Sequence, residues 1–195
     1  MKKEEKEIET FCPASQGDWR AWLAENHVSK QSVWLVYHKI KSSVPSISWR
    51  QAVDEALCFG WIDSKARSID AQTFMQFFCK RKPNSVWSKI NKAKVERLIS
   101  EGLMTTAGFD SIEKAKQNGS WTILDDVEEL KIPKDLAFAF KIHRGSKPFF
   151  ISLSKSVQQG ILQWLVLAKK PETRQKRINE IALLAGQKLK LVQFR

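Results

Sequence analysis

The sequence lacks a hydrophobic run long enough to cross a membrane, and it has few of the residue patterns that build cofactor or metal sites. No segment reaches the roughly 18 consecutive apolar residues of a transmembrane helix, and the charged first ten residues are unlike a secretory signal. Three cysteines without a Cys-x-x-Cys pair predict free thiols and a cytoplasmic protein. Glycine-rich phosphate loops are absent and the three histidines are isolated, so we predict no nucleotide cofactor and no metal.

Tryptophan and basic residues, by contrast, are abundant. Eight Trp against one Tyr predict either an aromatic core or an open aromatic pocket. The net charge is +12, and the segment from Lys141 to Arg195 contains twelve Lys and Arg but only two Glu, which places +10 of it there. Such asymmetry suggests a binding surface for a polyanion such as nucleic acid or for an anionic membrane, or simply a solvated face. The sequence leaves these two interpretations open.

The hydrophobic pattern predicts an α+β body followed by helices. In the body we expect a helix over 17–26, a strand over 32–40, and a helix that begins with a Ser48–Gln51 capping box and ends at Gly60. Residues 61–63 would then lie in the connection that follows Gly60. A strand pair is expected over 65–70 and 73–81, and its second strand is expected to be central. Ser85 would then cap a helix that runs to about residue 101.

Later helices are expected at 109–117, at 125–130, from Pro133, from Ser154, and after the Lys169-Lys170-Pro171 link. The short link predicts that the last two helices pack as an antiparallel hairpin. We therefore expect a charged tail at 1–9, the body at 10–120 and a basic helical region at 121–195.

Four motifs resemble the YdeI family of bacterial proteins: EALCFGWIDSK at 55–65, RKPNSVWSKIN at 81–91, GLMTTAG at 102–108 and AKKPETRQKRI at 168–178. The last is similar to the helical domain called bacteriocin-protection, YdeI or OmpD-associated. The resemblance covers about residues 10–184. It implies a small antiparallel sheet with helices in the first part, similar to the YjbR/CyaY-like fold, and an all-α second part. The family names refer to stress or bacteriocin tolerance and not to a reaction.

The first candidate site centres on Asp63. A carboxylate beside Trp61, with Arg67 and Arg81 nearby in sequence, is typical of a partly desolvated acid or base. The alternative is a structural Asp that caps a turn or pairs with an arginine. We favour the structural role, because no second catalytic group is evident.

The second candidate follows at Arg81, Ser85, Trp87, Ser88 and Asn91. If Ser85 caps a helix, then Trp87, Ser88 and Asn91 share one helix face, and free N–H groups lie next to Arg81. This arrangement is typical of an anion or phosphate site, and capping with a core Trp is the alternative. We expect a small-ligand site at Trp61, Asp63, Arg81, Ser85, Trp87 and Asn91.

The third candidate is the basic start of the last helix, with Lys169, Lys170, Arg174 and Arg177. Cations there oppose the helix dipole, so an anionic partner, nucleic acid or acidic protein, would account for them. Neutralisation by Glu172 and other helix neighbours is the alternative. Together these features predict a non-enzymatic, YdeI-like binding protein. The alternatives are an enzyme centred on Asp63 or a nucleic-acid-binding protein acting through the hairpin.

Overall fold

Residues 8–39 and 42–194 are described by the computed structural model, in which the chain divides into two units. The first comprises residues up to 85 together with 90–119, and the second comprises 86–89 with 120–195. Fold class agrees with the prediction: an α+β part comes first and helices follow. No helix in the described part of the chain is long and apolar enough to cross a membrane.

The first unit is built on a mixed sheet whose described strands lie in the order β1-β2-β4-β3. Their bounds are β1 Thr10–Phe11, β2 Ser32–His38, β3 Trp61–Ser68 and β4 Thr73–Lys80. The three longer strands pair antiparallel, as predicted, and β4 is central. The two-residue β1, which the sequence pattern does not predict, pairs parallel to β2.

Four described helices accompany this sheet, and the first of them packs on one of its faces. They are α1 Gln16–Asn26, α2 Trp49–Cys58, α3 Lys89–Ser100 and α4 Thr106–Gln117. Trp19 of α1 lies edge-on to Phe78 of β4, with ring centroids 5.4 Å apart, and Trp22 lies 5.8 Å from Trp61 of β3. Trp19, Trp61 and Phe78 are fully buried. The tryptophan-rich composition therefore serves an aromatic core between α1 and the sheet.

A buried carboxylate ties α1 to α2. Glu55 is 3% exposed, and its oxygens accept hydrogen bonds from Arg20 Nη1 and Gln16 Nε2, each at 2.6 Å. Arg20 also donates from Nη2 to the Leu103 carbonyl at 2.9 Å. Because both carboxylate oxygens are satisfied, the charge is tolerated inside the unit, and α1 is fixed against α2.

The predicted start and end of α2 are confirmed. Ser48 Oγ accepts from Gln51 N at 3.3 Å while Gln51 Oε1 accepts from Ser48 N at 3.0 Å, which is the reciprocal capping box. Gly60 follows the helix with φ of +70°, in the left-handed region. However, Trp61–Asp63 begin β3 directly, so the prediction that they lie in a connection was wrong. Three residues are too few to show the alternation of buried and exposed side chains by which a strand is recognised in a sequence.

The prediction of a helix capped by Ser85 was also wrong. The helix begins at Lys89, and residues 85–88 precede it. Ser85 instead lies in a turn, where its backbone N–H donates to the Lys82 carbonyl at 2.9 Å. Trp87 and Ser88 consequently do not share a helix face with Asn91. Residues 85–88 follow the Pro83-Asn84 turn without regular structure, and the helix begins after them.

The second unit is helical throughout its described length. Its helices are α5 Asp125–Glu128, α6 Lys134–Ile142, α7 Ser146–Ser152, α8 Lys155–Val166 and α9 Pro171–Gly186, followed by a 3-10 turn at Val192–Phe194. The sequence pattern does not predict α7. The buried core includes Leu136, Phe140, Phe150, Leu162 and Ile181. Along α8 and α9 the buried apolar residues recur every three or four positions, at Ile161 and Leu165 and at Ile178, Ile181 and Ala185, as expected for one apolar face of each helix.

Candidate anion-binding site

A cavity of about 270 Å³ lies within the first unit, where α1 ends, β3 begins and β4 ends. Its polar lining consists of His27, Lys80, Arg81, Asp110, Ser111 and Lys114. The remaining lining is mainly apolar and includes Val28, Phe59, Trp61, Pro83 and Ala107. The cavity thus combines an apolar wall with a concentrated set of cationic groups, the usual composition of a small-ligand site.

Helix α4 supplies one side of the cavity through residues at helical spacing. Ala107, Asp110, Ser111 and Lys114 are separated by three, one and three residues, so they share one face. The start of α4 is anchored to the end of α2, because Thr105 Oγ1 donates to the Cys58 carbonyl at 2.6 Å.

Two glycines allow α2 and α4 to approach so closely. A Cβ on Gly60 would lie 2.8 Å from the Ala107 carbonyl oxygen, and one on Gly108 would lie 2.4 Å from the Cys58 carbonyl oxygen. Side chains at either position would therefore separate the two helices. The GLMTTAG and FGW motifs are thus explained by the packing that forms the cavity wall.

The charge around the cavity is predominantly positive. The described lining contains three Lys and Arg side chains, Lys80, Arg81 and Lys114, and one carboxylate, Asp110. Lys80 Nζ donates to the Val28 carbonyl at 2.7 Å, which holds its ammonium at the rim. His27 Nδ1 lies 2.9 Å from the Leu23 carbonyl. Since a carbonyl can only accept, Nδ1 carries the proton and Nε2 is the ring atom left to meet a ligand.

Arg81 is the most buried cation of the set. Burial lowers the pKa of its guanidinium to about 10, and the charge of Asp63 opposes that shift. The backbone places it, because Arg81 N donates to the Gly60 carbonyl at 2.9 Å. Arg81 remains cationic at neutral pH in surroundings that disfavour its charge, so a bound anion would offset part of that cost.

Trp61 forms the floor beside Arg81. It is fully buried, and its indole Nε1 has no hydrogen-bond acceptor among the described residues. Buried indole N–H groups normally have an acceptor, and this one is enclosed within the protein beside the cavity.

Asp63 does not line this cavity. Its Oδ2 accepts from Trp49 Nε1 and from Gln76 Nε2, both at 3.0 Å. Gln76 is 6% exposed and also donates to the Ser64 carbonyl at 2.9 Å. That carbonyl belongs to an irregularity in β3, between Asp63 and Ala66, where two residues oppose Phe77 alone. The network thus supports a β-bulge, which favours the structural role for Asp63.

Asp63→Ala is expected to lower the free energy of unfolding by about 1–2 kcal/mol, because the buried Gln76 amide and the Trp49 indole lose an acceptor. Chemical denaturation of the full chain measures this change. Ser68→Ala, at an exposed position of the same strand, serves as the control. A variant as stable as the parent would show that the network contributes nothing to the fold.

The other predicted ligand residues are dispersed. Trp61 and Arg81 line the cavity, whereas Ser85 lies in its turn and Asn91 in the first turns of α3. Trp87 belongs to the second unit, where it is buried and its ring lies 5.0 Å from that of Trp121. Sequence reasoning missed Lys114, Ser111 and His27. The polar residues at helical spacing around Gly108 were the signal that could have found the first two.

The thiols of Cys58 and Cys79 are not activated. Burial raises the pKa of Cys58 to about 11, with the charge of Glu55 adding to the shift, so this thiol is protonated at neutral pH. Burial also raises the pKa of Cys79. Over residues 8–39 and 42–194, no three His, Cys, Asp or Glu side chains cluster in a way that could hold a metal ion.

Residues 11–111, just over half of the chain, match the model of a family described as a domain of unknown function (DUF8412). The chain belongs to this family. Residues 129–187 match the family model described as bacteriocin-protection, YdeI or OmpD-associated, which confirms the resemblance to the YdeI family. Neither the curated proteins nor the solved structures contain a significant match. Every described residue that lines the cavity except Lys114 lies within the DUF8412 match, and the four basic residues at 169–177 lie within the YdeI match.

Two of the four basic residues predicted to bind a partner in the YdeI part are engaged in intramolecular contacts. Arg174 donates to both carboxylate oxygens of Asp135, at 2.7 and 3.1 Å, which lowers the pKa of that carboxyl. Arg177 donates to the Trp164 carbonyl, and its guanidinium lies 4.6 Å from the centre of the Trp164 ring. Lys169 and Lys170 are exposed. The arginines therefore have a clear structural role in fixing α9 against α6 and α8.

Arg174→Glu is expected to lower the free energy of unfolding by about 1–2 kcal/mol, because the new carboxylate faces Asp135 in a half-exposed pair. The matched control is Lys176→Glu, which makes the same charge change on the same helix at an exposed position. We expect it to stay within about 0.5 kcal/mol of the parent. Equal effects in the two variants, measured by thermal or chemical denaturation, would contradict a specific role for the Asp135 pair.

Proposed function

We propose that this protein is a non-enzymatic binding protein that holds a small anion, a carboxylate or a phosphate, in the cavity bordered by Arg81 and Lys114. The observation that carries the proposal is the composition of that cavity. Three Lys and Arg side chains and His27 surround it, with Asp110 as the one carboxylate among its described lining residues. An anionic ligand would be attracted by this excess of positive charge, whereas a neutral ligand would gain nothing from it.

The size of the cavity supports a small ligand. At about 270 Å³ it lies just below the range of roughly 300–1,000 Å³ typical of drug-sized ligands. The apolar wall at Phe59 and Trp61 suits a short carbon skeleton, and the cations suit its anionic group. Ser111 adds a hydroxyl that can donate to the same group.

Binding is better supported than catalysis at Asp63. The candidate acid or base lies outside the lining of the cavity, and one of its oxygens already accepts from Trp49 and Gln76. The hairpin is also a weaker candidate for the main binding surface, because Arg174 and Arg177 serve contacts within the second unit.

Thermal unfolding of the full chain tests the proposal, with phosphate, sulfate, acetate and citrate added at constant ionic strength. A ligand at about 100 times its dissociation constant stabilises the folded state by about 2.7 kcal/mol. We expect at least one of these anions to raise the melting temperature of the parent and to leave that of Lys114→Glu unchanged. Lys116→Glu, on the same helix but outside the cavity, should respond as the parent does. Equal stabilisation of all three proteins would refute the assignment.

Bacteriocin protection, the role in the description of the C-terminal family, is a further proposal for the intact protein. If anion binding serves that role, a deletion strain complemented with Lys114→Glu should be less tolerant of bacteriocin than one complemented with the parent. Complementation with Lys116→Glu should restore the full tolerance. The growth of complemented strains in the presence of bacteriocin measures this effect.

A further inference from the structure

The face of the sheet opposite to α1 and α2 carries its own set of aromatic and basic residues. Directly paired residues of antiparallel strands share a face, so Trp34 and Phe77 lie together, as do Val36 and Met75. Their neighbours along each strand, such as Phe78, point to the buried face. Because Phe78 is the residue that meets Trp19 of α1, the Trp34–Phe77 pair lies on the outer face.

Cations overlie this aromatic pair. The Trp34 and Phe77 rings are 5.1 Å apart at their centres. Lys65 Nζ lies 5.6 Å from both ring centres, and the Arg67 guanidinium lies 5.0 Å from that of Trp34. Trp34 is 7% exposed, whereas Lys65 and Arg67 are exposed. Trp34 therefore acts as a support that holds a planar guanidinium at the surface.

The bulge in β3 is what brings Lys65 to this face. Asp63 pairs with Phe78, so in a regular strand Lys65 would oppose Gln76 and point to the buried face. The extra residue places both Ser64 and Lys65 opposite Phe77 instead. The Asp63–Gln76 network that supports the bulge consequently also sets the position of a surface cation.

A groove of about 770 Å³ continues from Phe77 along the end of β4. Its basic lining residues are Lys65, Lys80, Arg81 and Lys82, and its described lining contains no Asp or Glu. The groove and the aromatic pair share Lys65 and Phe77. Together they form a continuous strip of positive charge with ring and guanidinium planes at one end.

We propose that this strip, defined by Lys65, Arg67, Phe77 and Lys82, binds single-stranded nucleic acid. The charge complements a phosphate backbone, and the exposed Arg67 guanidinium, which lies on the Trp34 ring, offers a plane on which unpaired bases stack. Bases in a duplex are already stacked and present no free faces, so the strip distinguishes single strands from duplexes. This activity is additional to anion binding in the cavity. The groove and the cavity share Lys80 and Arg81, whereas Lys114 and His27 line the cavity alone and Lys65 and Lys82 line the groove alone.

The test is fluorescence anisotropy with labelled single strands of about 12 nucleotides, and with the matching duplex, at about 50 and about 200 mM salt. The double variant Lys65→Glu/Arg67→Glu is expected to lower single-strand affinity at least about tenfold at the lower salt. The slope of log affinity against log salt concentration should fall by the amount that corresponds to about two phosphate contacts. Its control is Lys169→Glu/Lys170→Glu, which makes the same charge change at the exposed hairpin link and should alter affinity less than about threefold. Near-ultraviolet circular dichroism checks that both variants are folded.

Arg67→Lys separates stacking from charge, because lysine keeps the charge but has no planar group. We expect it to weaken single-strand binding by about three- to tenfold and to leave phosphate stabilisation of the cavity unchanged. The proposal is overturned if the parent binds no single strand at about 50 mM salt, if it prefers the duplex, or if the hairpin control loses as much affinity as the sheet variant.

Discussion

Gly60→Ala is expected to lower the free energy of unfolding by about 3 kcal/mol or more, the largest stability effect we predict. Two costs combine at this position. The backbone has φ of +70°, where a side chain costs about 1–2 kcal/mol. In addition, the new methyl group would lie 2.8 Å from the Ala107 carbonyl oxygen, and overpacking of this kind costs about 1–3 kcal/mol.

Gly102→Ala is the matched control. Its φ of +68° is nearly the same, but a Cβ there would have nothing within 4 Å. It should therefore show the backbone cost alone, about 1–2 kcal/mol. Chemical denaturation of both variants measures the difference. Equal losses of unfolding free energy would mean that the close approach of Gly60 to the Ala107 carbonyl adds no steric cost to a side chain at this position.

Arg81→Met is expected to abolish anion binding, with an affinity loss of at least about 100-fold, because truncating one partner of a buried charge pair costs about 2–5 kcal/mol of binding. The substitution removes the cation that the proposed site places against the anion and keeps an apolar side chain of similar length.

Arg81→Lys gives the complementary result. It keeps a cation but loses the planar group that pairs with two anion oxygens, so binding should weaken by about tenfold and not disappear. Calorimetric titration with the anion that best stabilises the parent measures both variants. If Arg81→Met unfolds the protein instead, Arg81 is a structural residue and the proposed site loses its central cation.

Much of the fold could be predicted from local sequence signals. The Ser48–Gln51 capping box, Gly60 after α2 and the central position of β4 follow from short-range rules, and the structure has all three. The predicted cap at Ser85 failed because a Ser after Pro-Asn can equally continue a turn. Helix α7 and strand β1 are short, and their apolar residues become recognisable only in tertiary contact.

The cavity could be predicted only in part for a related reason. Arg81 directly follows β4, and Trp61 directly follows the Gly60 that ends α2; both features were evident in the sequence, so the place of these two residues was accessible. Lys114 and His27 reach the same cavity through the packing of α4 and α1, which no local pattern specifies. The bulge that moves Lys65 to the outer face depends on the Gln76 hydrogen bonds and likewise leaves no periodic signal.

A two-dimensional ¹H–¹⁵N NMR titration of the full chain with inorganic phosphate, at ionic strength held constant with sodium chloride, tests the central claim most directly. We predict saturable shifts of the Gly60, Arg81 and Ser111 amides and of the Trp61 indole N–H, all with one dissociation constant. Trp61→Phe assigns the indole signal. Shifts that fail to saturate, or that are confined to exposed lysines outside the cavity, would contradict an anion-binding site at Arg81.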